Sequence, residues 1–172
     1  MSKELKTTEK LREAIDGLSE NFTEDLIEVY QSSGDTFIRL EANALKNVCR
    51  YLFDEFRYVY LGDIFGTDRY TDDERFEVIY NLVSLRDRSR LFLKIRCEED
   101  NPVVDSITDI WPAANWFERE VYDMFGIRFR NHPDLRRIYM PEDFKYYPLR
   151  KEFPLLGIPG SIELPATTPD PE

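Results

Sequence analysis

The apolar positions of this chain change their period several times, and each change marks an element. Leu11, Ile15 and Leu18 recur at helical spacing in residues 9–18, which predicts a short amphipathic helix. Asp25–Tyr30 and Thr36–Leu40 read as two strands around Ser32-Ser33-Gly34-Asp35, a run of turn-forming residues. In 41–53, Leu45, Val48, Cys49 and Leu52 fall at i, i+3, i+4 and i+7, so a helix is expected with Cys49 on its buried stripe. Three longer strands follow, over 57–65, 75–85 and 90–97, with a polar loop at 66–73 and a charged hairpin turn at 86–90. The second carries Phe76, Val78, Tyr80 and Leu82 on one side. The third alternates Leu91, Leu93, Ile95 and Cys97 against Phe92, Lys94 and Arg96.

From residue 101 the texture shifts. Val104–Ile110 and Ala113–Phe125 read as two short helices separated by Trp111-Pro112. In the second, Ala114, Phe117, Val121 and Met124 are expected to face the core. Glu118, Arg119 and Asp123 are expected mostly on other faces, with Arg119 and Asp123 at an ion-pair spacing. Gly126 stands where a helix C-terminal glycine belongs. The resulting fold class is α+β: a mostly antiparallel sheet with helices packed on one face, filling a domain over residues 1–127.

Proline then dominates. Eight of the ten prolines lie in 131–172, a density that prevents long helices and sheet interiors. Residues 128–172 are therefore read as an extended Pro-rich C-terminal arm, with about 165–172 disordered. Tyr139, Met140, Phe144, Tyr146, Tyr147, Leu149, Phe153, Leu155 and Leu156 would be exposed on it unless it folds back or lies on another protein.

Charge sharpens this picture. The formal net charge of −11 opposes general nucleic-acid binding. Yet 128–151 holds seven Arg and Lys against three acids, leaving the rest of the chain at −15. That basic, aromatic segment suits a partner protein, or pairing with the chain's own acids. No 18-residue apolar window exists, and the first residues lack the pattern of a secretory or organellar leader, so a cytoplasmic protein is expected.

Candidate chemistry is sparse. Two distant cysteines and one histidine cannot supply a four-ligand zinc site or a four-thiolate iron–sulfur site, so no metal ligand is assigned. The seven glycines are scattered, with no phosphate loop, and no nucleophile-elbow motif is present. Glu118, Glu120 and His132 are the one acid–base set worth naming. The two glutamates point apart on a helix, and nothing in the sequence brings His132 to either.

One stretch carries much more. "WFEREVYDMFGIRFRNHPDLRRIYMPEDFKYYPLRKEFPL" resembles the signature of the 30 kDa subunit of respiratory complex I, the proton-pumping NADH:quinone oxidoreductase. The residues that match are Glu118-Arg119-Glu120, Asp123-Met124-Phe125-Gly126, His132-Pro133-Asp134-Leu135, Arg136-Arg137, Pro141-Glu142-Asp143-Phe144 and Pro148-Leu149-Arg150-Lys151. "DIWPAANW" just upstream is similar too, and the match is dense over about residues 101–156.

The resemblance implies a non-redox structural subunit of the peripheral arm, on the cytoplasmic side of the membrane. It implies packing on the 49 kDa subunit, near the iron–sulfur subunit that carries the last cluster before quinone. FMN, iron–sulfur clusters and quinone are then carried by other subunits. The resemblance assigns no catalytic or cofactor-binding residue here. Arg136, Arg137, Arg150 and Lys151 are the candidates for charges that face the partner. Glu118, Arg119, Glu120 and Asp123 are expected to fix the helix against the arm. Equivalent subunits of membrane-bound hydrogenases and of coenzyme F420-linked or plastoquinone-reducing dehydrogenases share this look. A stand-alone acid–base enzyme and a nucleic-acid module stand further off.

Overall fold

A computed structural model describes residues 9–71 and 73–154. Helix α1 (Glu9–Asn21) precedes the hairpin of β1 (Leu26–Ser32) and β2 (Asp35–Leu40). Helix α2 (Leu45–Phe56) crosses over to the meander β3 (Tyr60–Asp68), β4 (Phe76–Val83) and β5 (Arg90–Cys97). The short strand β6 (Val103–Asp105), helix α3 (Ala114–Phe125) and the short strand β7 (Arg128–Arg130) follow.

The five-stranded sheet runs β1-β2-β5-β4-β3. All its pairings are antiparallel except β2 with β5, which are parallel because the α2 crossover separates them in the chain. The α+β class and the mostly antiparallel sheet expected from the sequence are what the structure holds, with one parallel pairing added. Of the arm expected over residues 128–172, the part from residue 155 onward, with its disordered end at about 165–172, lies outside the described residues.

The core forms where the periodicities place it. Phe76, Val78, Tyr80, Leu82, Leu91, Leu93 and Ile95 have no exposed surface and Cys97 almost none; they meet Ile38 and Leu40 of β2. Leu45, Val48, Cys49 and Leu52 of α2 close over them, with Leu11, Ala14 and Leu18 of α1. Burial pushes both thiols up, and they act as small hydrophobes. On the other side of the sheet, Tyr30, Phe37 and Phe92 stack in register across three strands, with centroids 5.2 and 4.9 Å apart.

Two local expectations change. Val104–Ile110 is strand and turn rather than helix, since Val103–Asp105 pairs in parallel with Arg128–Arg130. A run of seven apolar-rich residues is too short for periodicity to decide between strand and helix. The 66–73 loop is shorter than expected, because β3 continues through Gly66 to Asp68. Gly66 lies beneath α3, and a Cβ there would stand 2.7 Å from the Phe125 ring. The small residue is what lets α3 lie down on β3.

Candidate functional site

Helix α3 is the hub. Its apolar stripe of Ala114, Val121 and Phe125 is buried as expected, while Phe117 and Met124 are half-buried at its edge. Its charged residues depart from expectation. Glu118, Arg119 and Asp123 are all buried, the first and last completely. The reason is the segment that follows β7. It turns back across the helix, and the helix's polar face becomes an interface with its own chain.

Asp123 anchors that segment. Its Oδ2 accepts the backbone N–H groups of Ile138, Tyr139 and Met140 at 3.0, 2.7 and 3.0 Å. Its Oδ1 accepts from Arg137 Nη1 at 2.7 Å. Burial alone would raise this carboxyl; the three amides and the guanidinium overcome it and hold the pKa below the usual value. Arg137 also donates to the Tyr146 carbonyl and lies 5.2 Å from the Tyr147 ring. Arg119 donates to the carbonyls of Arg136 and Arg137 and stacks on Trp116. The Arg119–Asp123 pair that spacing suggests does not form, because each side chain finds better-placed partners on the returning segment.

A second carboxylate fixes the far end. Asp68, at the tip of β3, is fully buried and takes two hydrogen bonds from Arg75, at 2.9 and 2.7 Å. It also accepts the N–H of Lys151 at 2.8 Å and that of Tyr70 at 2.9 Å. Burial works to raise its pKa, but these donors bring it down to about 2. Arg75 pairs in addition with Glu152 and Glu99. Hydropathy alone puts Asp68 in a loop and gives neither it nor Arg75 a role. Only the β3–β4 register, which pairs Asp68 with Phe76, puts it beside Arg75.

Between the two anchors, the Leu149 N–H donates to the Met124 carbonyl and Arg150 Nε to the Phe125 carbonyl at 2.7 Å. These satisfy carbonyls at the end of α3 that have no intrahelical donor. Arg150 also stacks on Phe76 and Tyr147. Gly126 caps the helix at φ +78°, where a Cβ would meet the Tyr147 ring at 2.6 Å.

The remaining signature residues divide by exposure. Arg137 and Arg150 make their contacts inward, within the chain itself. Arg136, paired with exposed Asp134 at 3.0 Å, and Lys151 are exposed. Pro141, Glu142 and Asp143 form an exposed turn closed by the Phe144 N–H on the Pro141 carbonyl. Pro133 is exposed and Pro148 half-buried, while the Leu149 side chain, Tyr139, Tyr146 and Trp116 stand out of the surface. Glu120 is exposed.

His132 and Glu118 meet after all. His132 Nε2 lies 3.9 Å from Glu118 Oε2, and neither side chain has exposed surface. The fold does what the linear sequence does not indicate, because β7 carries His132 back over α3. Glu120 is not part of this contact. With both groups enclosed, a substrate could reach them only if the segment opened. Among the described residues, no group of three His, Cys, Asp or Glu is placed to hold a metal ion, and no helix is long and apolar enough to cross a membrane.

Over most of its length the chain is similar to known proteins. Residues 38–158 match the family model described as "Respiratory-chain NADH dehydrogenase, 30 Kd subunit". The C subunit of the NADH-quinone oxidoreductase of Geotalea uraniireducens is 39% identical over 144 residues, covering 84% of this chain and 88% of that one. Its counterpart from a Roseiflexus species is 46% identical over 124 residues, covering 71% of each. Among solved structures, the trypsin-resistant fragment of Nqo5 superposes with a TM-score of 0.64 at 33% identity, over 73% of this chain and 99% of the fragment. A chain of an archaeal membrane-bound sulfane sulfur reductase shares the fold, with a TM-score of 0.69 at 22% identity over 86% of this chain and 88% of that one.

Proposed function

Because the chain belongs to the 30 kDa subunit family of respiratory-chain NADH dehydrogenases, we propose that it is a structural subunit of the peripheral arm of a proton-translocating NADH:quinone oxidoreductase. It helps assemble the quinone-reducing module on the 49 kDa subunit, beside the iron–sulfur subunit nearest quinone, at the cytoplasmic face of the membrane. Electron carriage by FMN and iron–sulfur clusters, and quinone binding, belong to the partner chains. The observation that carries this reading is the family match over residues 38–158, which includes the whole segment tied down by Asp123 and Asp68. Buried charge is used inside the chain, in fixing that segment. Trp116, Tyr139, Tyr146 and Leu149 are left exposed, as are Arg136 and Lys151, and aromatic and Arg side chains of this kind are enriched at interfaces. Membership of a related membrane complex is the second reading, favoured by the fold shared with the sulfane sulfur reductase chain.

A scaffold and a catalyst respond differently to substitution. Glu120→Gln and His132→Asn, introduced separately into the chain within its complex, are expected to leave quinone-reductase turnover per assembled complex unchanged. Any loss should appear in the amount of complex recovered. Full assembly with turnover lost would assign the chain a chemical step and contradict the proposal.

A further inference from the structure

Among the described residues, Glu118 is unlike the other buried carboxylates. Asp68 and Asp123 each face a guanidinium and backbone amides, and Glu77 pairs with Lys94 and Arg96. Glu118 receives one backbone N–H, from Ile107 to Oε1 at 2.8 Å, and its Oε2 has no hydrogen-bond partner although it is fully buried. Its neighbour His132 cannot serve as a cation in this geometry. His132 Nδ1 accepts the Asp134 N–H at 3.0 Å, which places the ring proton on Nε2, directed at the Asn115 carbonyl 3.2 Å away. A second proton on Nδ1 would face an N–H donor and break the Asp134 turn.

The groups around Glu118 do not supply a free positive charge either. From α2 come Lys46, which is engaged with Asp109 at 3.2 Å, and the buried thiol of Cys49. The turn after β6 contributes Asp109, which also holds Arg50, and the hydroxyl of Ser106. From β4 comes the buried phenol of Tyr80, whose hydroxyl also has no partner. From the returning segment comes neutral His132.

We propose that Glu118 is carried as a neutral acid in the folded chain, making its contact with His132 a proton-sensitive joint between α3, the turn after β6 and the returning segment. Release of that proton to solvent leaves a buried carboxylate whose Oε2 has no hydrogen-bond donor, and the joint loosens. Burial, opposed in part by the Ile107 amide and the Ser106 hydroxyl, pushes the carboxyl up to about 7, so the change falls at neutral pH. The sign follows. A pKa raised in the folded state contributes stability that is fully present below the ordinary glutamate value and is lost as pH rises through about 7. His132 acts in the opposite sense. Burial lowers its pKa, so its share of stability is present above the ordinary histidine value and is lost as pH falls from there through the lowered one. The inference holds whichever complex carries the chain.

The test is a titration of the carbon-13-labelled full-length chain by NMR, from mildly acidic to mildly alkaline pH. One glutamate side-chain carboxyl should titrate near pH 7 and be missing from the spectrum of Glu118→Gln. Exchange protection of the Ile107 and Asp134 amides should fall as it ionises, and should not change between neutral and mildly alkaline pH in Glu118→Gln. If every glutamate titrates in the ordinary carboxylate range, the proposal is wrong. It is equally wrong if protection at those two amides ignores the titration near neutrality. Should Glu118→Gln fail to fold, the wild-type titration and its amide readout decide on their own.

Discussion

Replacing Asp123 with alanine is expected to cost about 3–5 kcal/mol, the range for removing one partner of a buried, hydrogen-bonded charge pair. The substitution leaves three backbone N–H groups of residues 138–140 without an acceptor and strands Arg137, whose side chain is only 9% exposed. Against a total stability of about 5–15 kcal/mol for a domain, that is a large fraction. The damage should also be local. The sheet and α1–α2 core do not depend on the carboxylate, so proteolysis should cut first within 131–154 while the rest resists. Asp123→Asn should fall between, because the amide oxygen can still accept N–H groups while its NH2 opposes Arg137. A loss under about 1 kcal/mol by urea unfolding, with no new cleavage, would show that the returning segment is held by something else.

The second large effect concerns Asp68. Asp68→Asn should cost about 3 kcal/mol, near the low end for a broken buried pair, because Arg75 keeps Glu99 and Glu152. The double variant Asp68→Asn with Arg75→Met should be less destabilised than the two single losses added together, since it leaves no unpaired buried charge. Additive losses would mean that the two side chains do not act as a unit. The pH dependence has a definite sign. With its folded pKa held down to about 2, Asp68 contributes stability that is present above its ordinary value of 3.8 and disappears as pH falls toward 2. Asp123, also lowered, acts in the same direction. Glu118 acts in the reverse direction and higher on the scale, so acid unfolding and the change at neutral pH report different carboxylates.

The difference between these carboxylates also explains what the sequence could reveal. Period-two alternation in 76–82 and 91–97 and the stripe Leu45, Val48, Cys49, Leu52 were readable because local geometry sets which side faces the core, although Glu77, Ile79 and Phe92 on the other side of the sheet are covered as well. Gly126 was readable for the same reason: a helix end needs a left-handed residue wherever the helix lies. The burial of Glu118, Arg119 and Asp123 was not, because periodicity assigns charged residues to solvent by default. Here they are covered by a segment 14 to 18 residues further along the chain. Arg137 and Arg150 looked like partner-facing charges for a related reason. Their inward partners are backbone carbonyls of Tyr146 and Phe125, besides the Asp123 carboxylate, and carbonyls leave no trace in a sequence. The density of charged and aromatic residues in 116–151 was legible, and so was the family they resemble. Which charges turn inward needed the fold.

The central claim is that this chain works as a scaffold among redox subunits. Its most direct test is to isolate the tagged chain from native membranes under mild detergent. The account predicts that flavin- and iron–sulfur-bearing chains come with it, and that Asp123→Ala, which loosens the docking surface, brings down less of them. Recovery of the chain alone from those membranes, without partners, would contradict it.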